Sequence, residues 1–192
     1  MNLFLKGKRS SSGKHPIDKK GAVPPGQHGQ KALRRKMSDF GRQLREKQRV
    51  KRMYGVLERQ FKKYFEKASK EKGNTGVALL QILETRLDNV VYQLGLAASR
   101  AAGRQLVTHG HVLVNDKKVD IPSYNVKVGS IVALSAKAQN LANVSEALSL
   151  RGDLIPAWLE RKGLVGKMVR LPAAEDLEAI AQEQLIVEYY SR

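Results

Sequence analysis

One long amphipathic stretch, residues 38–72, constrains the fold of this chain more than any other. Its apolar side chains recur at the spacing of one helix face, and Arg and Lys fill most of the remaining positions. The apolar stripe comprises Leu44, Val50, Tyr54, Leu57, Phe61 and Phe65. Ser38 and Asp39 are suited to cap a helix, and Gly55 interrupts the pattern. The sequence therefore predicts two helices that bury one face and present cations on the other.

The cations of this stretch belong to a charge excess that is confined to the first part of the chain. Residues 1–72 hold 22 basic and 6 acidic side chains, whereas residues 73–192 hold 13 and 12. A positive region of this density repels itself unless a polyanion neutralises it. Nucleic acid, which binds such surfaces with release of counterions, is the expected partner. A membrane-surface helix shares the pattern, but the abundance of Arg, whose planar guanidinium suits phosphates and bases, favours nucleic acid.

The composition argues against several other classes of protein. Cysteine is absent, which leaves no disulfide, thiolate metal site or cysteine nucleophile. No apolar run approaches the roughly 18–20 residues of a membrane span, and the first twenty residues lack the pattern of a secretory signal. No phosphate-binding glycine loop or Ser-His-Asp order is evident. We therefore expect a cytoplasmic protein with no membrane partner, no cofactor and no catalytic activity.

Beyond residue 76 the pattern changes from helical to strand-like. The segment VALLQILETRLDNVVYQLG places apolar side chains along one helix face up to Gly95, and Ser99 is expected to cap the short helix SRAAGRQLVTH. After Gly110, two apolar runs flank a tight turn that begins at Asn115, and two more short runs surround Gly129. Two helices and a small curled sheet would form a compact module.

The predicted fold class is α+β and mainly helical. Residues 1–40, rich in Gly, Pro, Ser, Lys and Arg, are predicted to form a basic extended arm. Residues 41–82 and 165–192 are predicted to form a helical domain with the C-terminal segment, including a helix near Glu175–Gln184 and a closing apolar run. Residues 83–164 are assigned to the helix-helix-curled-sheet module, with its core at about residues 84–148.

Two histidines, His109 and His111, lie at the predicted junction of helix and strand. A zinc site needs three or four ligands, and the other two histidines lie in the predicted arm, so we expect no metal. One interpretation is that Gly110 makes the turn and leaves the imidazoles on its edges. Another places them on an RNA surface, where they stack or hydrogen-bond, shared with Arg100, Arg104 and Lys117.

The tetrapeptide TRLD, residues 85–88, resembles the Gly-Arg-Leu-Asp signature of pseudouridine synthases, in which the aspartate is catalytic. Here Thr85 replaces the glycine. In those enzymes the small RNA-binding module precedes a large catalytic domain, whereas here the module follows the signature and fewer than 50 residues remain after it. We therefore interpret Arg86 and Asp88 as helix-surface residues, and an RNA-modifying enzyme remains the alternative.

Five segments, in order, resemble one family across nearly the whole chain. They are PPGQHGQ (24–30), LREKQRVKRMYGVLERQF (44–61), LETRLDNVVYQLG (83–95), SRAAGRQLVTHGHVLVNDKKVDIPSY (99–124) and LIVEYYSR (185–192). The chain is similar to the bacterial family of small-subunit ribosomal protein four. Members usually carry further residues before the segment LFLKG, so by this comparison the chain begins late.

The resemblance implies a structural protein of the small ribosomal subunit that binds small-subunit ribosomal RNA and nucleates assembly of the subunit body. It also implies contact with small-subunit ribosomal protein five, an influence on translational accuracy, and a position near the messenger RNA entry channel. A free-standing module of the stalled-ribosome heat-shock type would lack the basic arm and the helical domain. Together, the residue pattern and the resemblance predict RNA contacts from Gln27, His28, Arg42, Arg45, Lys47, Arg49, Arg52, Arg59, Lys62, Arg86, Arg100, Arg104, His109, His111, Lys117 and Lys118.

Overall fold

A computed structural model gives the fold of the chain. It describes residues 3, 5–7, 17–18, 21, 23–24, 26–29, 36–151, 155–178 and 181–191. Most of the predicted arm, residues 1–40, lies outside the described residues. The described part is mainly helical with one antiparallel sheet, which confirms the predicted α+β class. None of the helices in these ranges combines the length and the apolarity that a membrane span requires.

The basic amphipathic stretch forms two helices, α1 (Asp39–Met53) and α2 (Glu58–Ala68). Ser38 caps α1 as predicted, because its Oγ accepts a hydrogen bond from the Gly41 amide at 3.2 Å. Gly55 separates the helices with a φ of 62°, a left-handed conformation that glycine adopts without strain. The two helices therefore follow from local sequence signals. Leu57 is an exception in the predicted apolar stripe, because it precedes α2 as its N-cap residue and its side chain is exposed.

The segment VALLQILETRLDNVVYQLG differs from its prediction, since it forms two helices rather than one continuous face. These are α3 (Thr75–Glu84) and α4 (Leu87–Gln93), and the backbone between them is extended at Arg86. The Leu87 amide donates to the carbonyl oxygen of Tyr124 at 2.8 Å instead of continuing a helical ladder. Hydrophobic periodicity carries no signal for a hydrogen bond from a distant loop, so the interruption was not predicted.

The module begins with α4 and α5 (Arg100–Thr108), which pack against each other. Ser99 caps α5 as predicted, since its Oγ accepts from the Ala102 amide at 3.2 Å. Gly103 in the middle of α5 lies against α4, and a Cβ there would come within 2.6 Å of the Asp88 carbonyl oxygen. This glycine permits the close approach of the two helices.

A five-stranded antiparallel sheet follows. The strands are β1 (Val112–Val114), β2 (Lys117–Lys118), β3 (Ile131–Leu134), β4 (Leu159–Lys162) and β5 (Val165–Met168). Their order in the sheet is β2-β1-β3-β5-β4. Asn115 and Asp116 form the predicted turn between β1 and β2, with φ values of 49° and 63°. Two positive φ values are the conformation of the type I′ hairpin turn. Of the two runs predicted around Gly129, only the second forms a strand, β3.

The remaining described helices are α6 (Ala136–Gln139), α7 (Ala142–Arg151), α8 (Ala174–Glu178) and α9 (Glu183–Tyr190). The helix expected near Glu175–Gln184 is therefore the shorter α8, and the closing apolar run is the helix α9. α9 packs on α1 and α3. The C-terminal segment thus completes the helical domain, whose first helices it contacts.

The buried apolar side chains separate into two cores. The core of the helical domain extends from Val50 to Leu83 and resumes at Leu177. The core of the module extends from Leu87 to Met168 and is formed by apolar side chains of α4, α5 and the sheet. The predicted module ended at residue 164, whereas β5 pairs with both β3 and β4, so the sheet continues to residue 168.

Candidate nucleic-acid interface

A row of arginines follows one side of α1. Arg42, Arg45 and Arg52 are exposed, and Arg49 between them is half-buried. Steps of three and four residues keep side chains on one side of a helix, here opposite the face that buries Val50. With a rise of 1.5 Å per residue, the row spans about 15 Å along the helix axis. Such a row can contact successive phosphates of a nucleic-acid backbone.

The row ends at a groove between the helical domain and the module. The groove has a volume of about 200 Å³, and its lining includes Arg52 from α1 and Arg100 and Arg104 from α5. The side chain of Arg104 is 51% exposed, and that of Arg100 is 19% exposed. We call this cleft, with Arg52, Arg100 and Arg104 in its wall, the arginine groove. Their cations come from both domains, so the helical domain and the module present one shared positive surface.

A buried ion pair lies beneath the arginine groove. Arg86 is 1% exposed and Asp88 is 4% exposed. The Arg86 guanidinium donates to the two carboxylate oxygens of Asp88 at 3.0 and 2.5 Å, and to the hydroxyl of Tyr64 at 2.7 Å. Burial alone would lower the pKa of Arg86, but the hydrogen bonds and the charge of Asp88 raise it above its ordinary value.

The burial of this pair corrects two expectations. Arg86 and Asp88 do not lie on a helix surface, and the predicted contact of Arg86 with RNA conflicts with the enclosure of its guanidinium. Asp88 also reaches the groove, because its Oδ2 lies 3.7 Å from Nη1 of Arg104. One carboxylate therefore links a buried arginine to an exposed one.

A second buried carboxylate, Glu84, positions Arg100. The hydroxyl of Tyr54 and the side-chain amide of Asn89 both donate to Glu84, the latter at 2.8 Å. Nε of Arg100 donates to Oδ1 of Asn89 at 2.8 Å, and its guanidinium lies 5.0 and 4.7 Å from the ring centroids of Tyr54 and Tyr92. Burial and the neighbouring carboxylate raise the pKa of Tyr54 well above its ordinary value, so its hydroxyl remains a donor. Arg100 is thus held in one place in the groove wall.

Lys47 and Arg49 of α1 have partners within the protein. Lys47 is 3% exposed, donates to Glu58 at 2.6 Å and lies 4.5 Å from the ring centroid of Tyr189. Arg49 donates to Glu46 at 2.8 Å. The burial of Lys47 conflicts with its predicted RNA contact, because this lysine joins α1, α2 and α9.

Glu58 at the start of α2 collects hydrogen bonds from three side chains. Partial burial raises its pKa, but hydrogen bonds from Lys47, Lys51 and Tyr190 oppose that effect and lower the pKa to about 2. Burial, together with the contact with Glu58, raises the pKa of Tyr190. Because Tyr190 belongs to α9, the carboxylate fastens the C-terminal helix to the basic helix pair.

The other predicted RNA contacts lie at the surface of the described residues. The exposed side chains are Gln27, His28, Arg59, Lys62, Lys117 and Lys118. Gln27 and His28 belong to the short described segment 26–29, whereas the two lysines at 117 and 118 form β2. All of them are accessible, and their RNA contacts stay predictions.

His109 and His111 flank a turn between helix and strand, as one of the two interpretations proposed. His109 caps the C-terminus of α5, and Gly110 adopts a φ of 70°. The imidazole centroids are 6.2 Å apart. A Cβ added at Gly110 would clash with the end of the Lys118 side chain, so the glycine also makes room for a cation beside the histidines. Within the described ranges, no three His, Cys, Asp or Glu side chains are grouped for metal binding.

The sequence pattern did not reveal the roles of Glu84, Asp88 and Asn89. A signal was nevertheless present, since these three polar residues lie in the middle of a segment rich in Leu, Ile and Val. Buried carboxylates require a cation or several donors, and arginines lie nearby in the chain at residues 86 and 100. Their pairing could have been inferred once the segment was recognised as a fully buried one.

Comparison with known proteins decides the family. Residues 1–84 match the family model of the ribosomal protein S4/S9 N-terminal domain, and residues 85–132 match that of the S4 domain. The chain is 56% identical to the small ribosomal subunit protein uS4 of Dictyoglomus turgidum, over 100% of this chain and 92% of that protein. The chain belongs to the ribosomal protein S4 family. The resemblance inferred from the five segments is therefore confirmed.

Two further relatives in the S4 family agree with this assignment. The proteins named uS4 of Ruminiclostridium cellulolyticum and Thermus thermophilus are 55% and 49% identical to the chain. The matches cover 99% of this chain and 91% of the first protein, and 100% of this chain and 92% of the second. The two matched domains meet after residue 84, where α3 ends and the two apolar cores separate. The S4 domain of this chain thus begins at the interruption that carries the buried Arg86–Asp88 pair.

Proposed function

We propose that this chain is a structural protein of the small ribosomal subunit that binds small-subunit ribosomal RNA through the α1 arginine row and the arginine groove. The observation that carries the proposal is that Arg52 of the helical domain and Arg100 and Arg104 of the module line one groove. An RNA backbone in this groove contacts both domains at once. Family membership supports the small subunit as the source of that RNA.

The chemistry of the groove suits the backbone of folded RNA. Guanidinium groups bind phosphate oxygens with two parallel hydrogen bonds and also stack on bases. Arg100 is held by a hydrogen bond to Asn89 and lies 3.8 Å from the buried carboxylate of Glu84, while Arg104 lies 3.7 Å from that of Asp88. Arg100 therefore loses little side-chain freedom on binding. A surface of preset cations reads the shape and the backbone of an RNA rather than its sequence.

The proposed role is structural rather than catalytic. The relatives are named as ribosomal proteins. In this chain Asp88, which occupies the position of the catalytic aspartate in the synthase signature, is committed to Arg86 at 2.5 Å. Because the Arg86 guanidinium occupies both oxygens of the Asp88 carboxylate, this carboxylate is not placed to attack a base. The alternative of an RNA-modifying enzyme is therefore not favoured. Assembly into ribosomes would place the chain in the cytoplasm.

The proposal of more specific partners and roles rests on family membership. They are small-subunit ribosomal protein five and messenger RNA at the entry channel, with a contribution to subunit body assembly and to translational accuracy. The exposed cations on α2, Arg59 and Lys62, leave charge available beyond the groove for a further RNA segment.

Selective binding tests the proposal. The purified chain is titrated against small-subunit ribosomal RNA and against large-subunit ribosomal RNA fragments of equal length at the same salt concentration. We expect tighter, saturable binding to small-subunit RNA, and co-sedimentation of the chain with small subunits after a high-salt wash. Equal affinity for both RNAs, together with loss of the chain from washed subunits, would contradict a specific ribosomal role.

A further inference from the structure

A cavity of about 220 Å³ opens in the module along α5, and none of the three arginines of the arginine groove lines it. Its walls include the apolar side chains of Leu96, Leu106 and Val144. Its rim carries Gln105 and His109 from α5 and Asn143 from the start of α7. The cavity therefore combines apolar walls with exposed amide and imidazole groups.

The volume restricts what the cavity can hold. Pockets for drug-sized ligands commonly measure roughly 300–1,000 Å³, so this one accommodates a single small ring system rather than a whole nucleotide cofactor. An unpaired nucleobase has that size class, an apolar face and hydrogen-bonding edges. Single-stranded bases in RNA–protein complexes are stacked on aromatic or apolar side chains, histidine among them, and are recognised by hydrogen bonds along their edges.

A cation beside the cavity points to the same occupant. The end of the Lys118 side chain lies over Gly110, between the two histidines that line the cavity. A nucleotide whose base entered the cavity would thus keep its phosphate near a cation, which suits the electrostatic part of RNA binding.

We infer that this cavity takes one unpaired base of the bound RNA, with Gln105 and Asn143 recognising the base edge and His109 stacking on its face. The inference rests on the proposed RNA-binding function and adds a base-specific contact to a surface that otherwise contacts the backbone. It assigns to the HGH turn a role in selecting the RNA sequence at one position.

Base-resolved chemical probing tests the inference with a matched pair of variants. The test variant combines Gln105→Ala with Asn143→Ala. The control variant combines Gln60→Ala with Asn140→Ala, two exposed residues of the same types outside the cavity. Neither variant changes the charge of the chain, so the electrostatic part of RNA binding is preserved. Each protein is bound to a small-subunit ribosomal RNA fragment and probed with base-specific reagents and with hydroxyl radicals.

The native chain and the control variant should protect one unpaired base from the base-specific reagents. In the test variant that base should become reactive and affinity should fall about tenfold, as expected when one base loses its hydrogen bonds to two side chains. The hydroxyl-radical footprint of the backbone should stay unchanged in all three proteins. Equal base protection in the test and control variants would overturn the inference, whereas absence of any backbone footprint with the native chain would overturn the proposed function and the base site together.

Discussion

Neutralising Asp88 should destabilise the protein strongly. The Asp88→Asn variant leaves the Arg86 guanidinium, 1% exposed, without its charge partner. Removing one partner of a buried ion pair typically costs about 3–5 kcal/mol of unfolding free energy. For a chain of this size, 1 kcal/mol shifts the midpoint of thermal unfolding by about 2–4 °C, so the expected decrease is roughly 6–20 °C.

The measurement is thermal and urea unfolding of the free protein, monitored by circular dichroism. Asp176→Asn is the matched control, because Asp176 also accepts from an arginine, Arg170 at 2.6 Å, but at the surface. That control should change stability far less, since solvent screens an exposed pair. The charge-free combination of Arg86→Met with Asp88→Leu should recover much of the loss, because it removes both buried charges.

Two results would refute this reasoning about Asp88. A loss of less than about 1 kcal/mol in the Asp88→Asn variant would show that the pair is not buried as described. A ribosomal RNA that lost one pseudouridine in cells carrying only this variant would show that the aspartate is catalytic. The structural role predicts unchanged pseudouridine positions in such cells.

Three further predictions concern stability. Gly103→Ala should lower the unfolding free energy by about 1–3 kcal/mol, although alanine has the better helix propensity. The reason is that the alanine Cβ would lie 2.6 Å from the Asp88 carbonyl oxygen. Thermal unfolding of the variant measures the loss. The pKa of Glu58 is lowered to about 2 in the fold. Its stabilising contribution should therefore be fully present above about pH 4.5 and should be lost as the pH falls through about 2. In urea unfolding at a series of pH values, Glu58→Gln should reduce the dependence of the unfolding free energy on pH in this range. Asp116→Gly should raise stability by up to about 1 kcal/mol in the same assay, since Asp116 adopts a φ of 63° in a turn that favours glycine.

Local sequence signals predicted the elements that depend on neighbouring residues alone. Ser38 and Ser99 accept the capping hydrogen bonds that their positions suggest. Gly55 and Gly110 both turn the chain with positive φ, and the hairpin turn lies at Asn115. In each case the residue type and the backbone conformation are linked by short-range sterics or a hydrogen bond within four residues.

The features that were not predicted depend on contacts between distant segments. The break at Arg86 is fixed by a loop some forty residues later, through the bond between Leu87 and Tyr124. The sequence alone assigns Lys47 to the exposed basic face of α1, whereas in the fold it contacts Glu58 of α2 and Tyr189 of α9. Periodicity indicates which face of a helix is polar, but it does not indicate which polar groups pair with distant residues in the folded chain.

Gly103 shows a different limit of sequence reasoning. Glycine within a helix costs stability by propensity alone, about 0.5–1 kcal/mol relative to alanine, so the residue type by itself indicates a weak point in α5. In the fold the residue allows α5 to approach α4 closely. The helix-propensity cost of Gly103 is offset by the packing of α5 on α4. The sequence of α5 alone does not show this packing.

The salt dependence of RNA binding tests most directly whether the two domains share one RNA surface. The affinity for small-subunit ribosomal RNA is measured over a series of salt concentrations for the native chain and for a triple variant, Arg42→Ala, Arg52→Ala and Arg104→Ala. A control variant with the same loss of charge replaces three exposed lysines away from the groove, Lys137, Lys162 and Lys167, by Ala. Each lost phosphate contact lowers the magnitude of the logarithmic slope by about 0.7–0.9. The slope of the triple variant should therefore fall by about 2–3 and that of the control should hardly change, whereas equal slopes for the two variants would contradict a shared arginine surface.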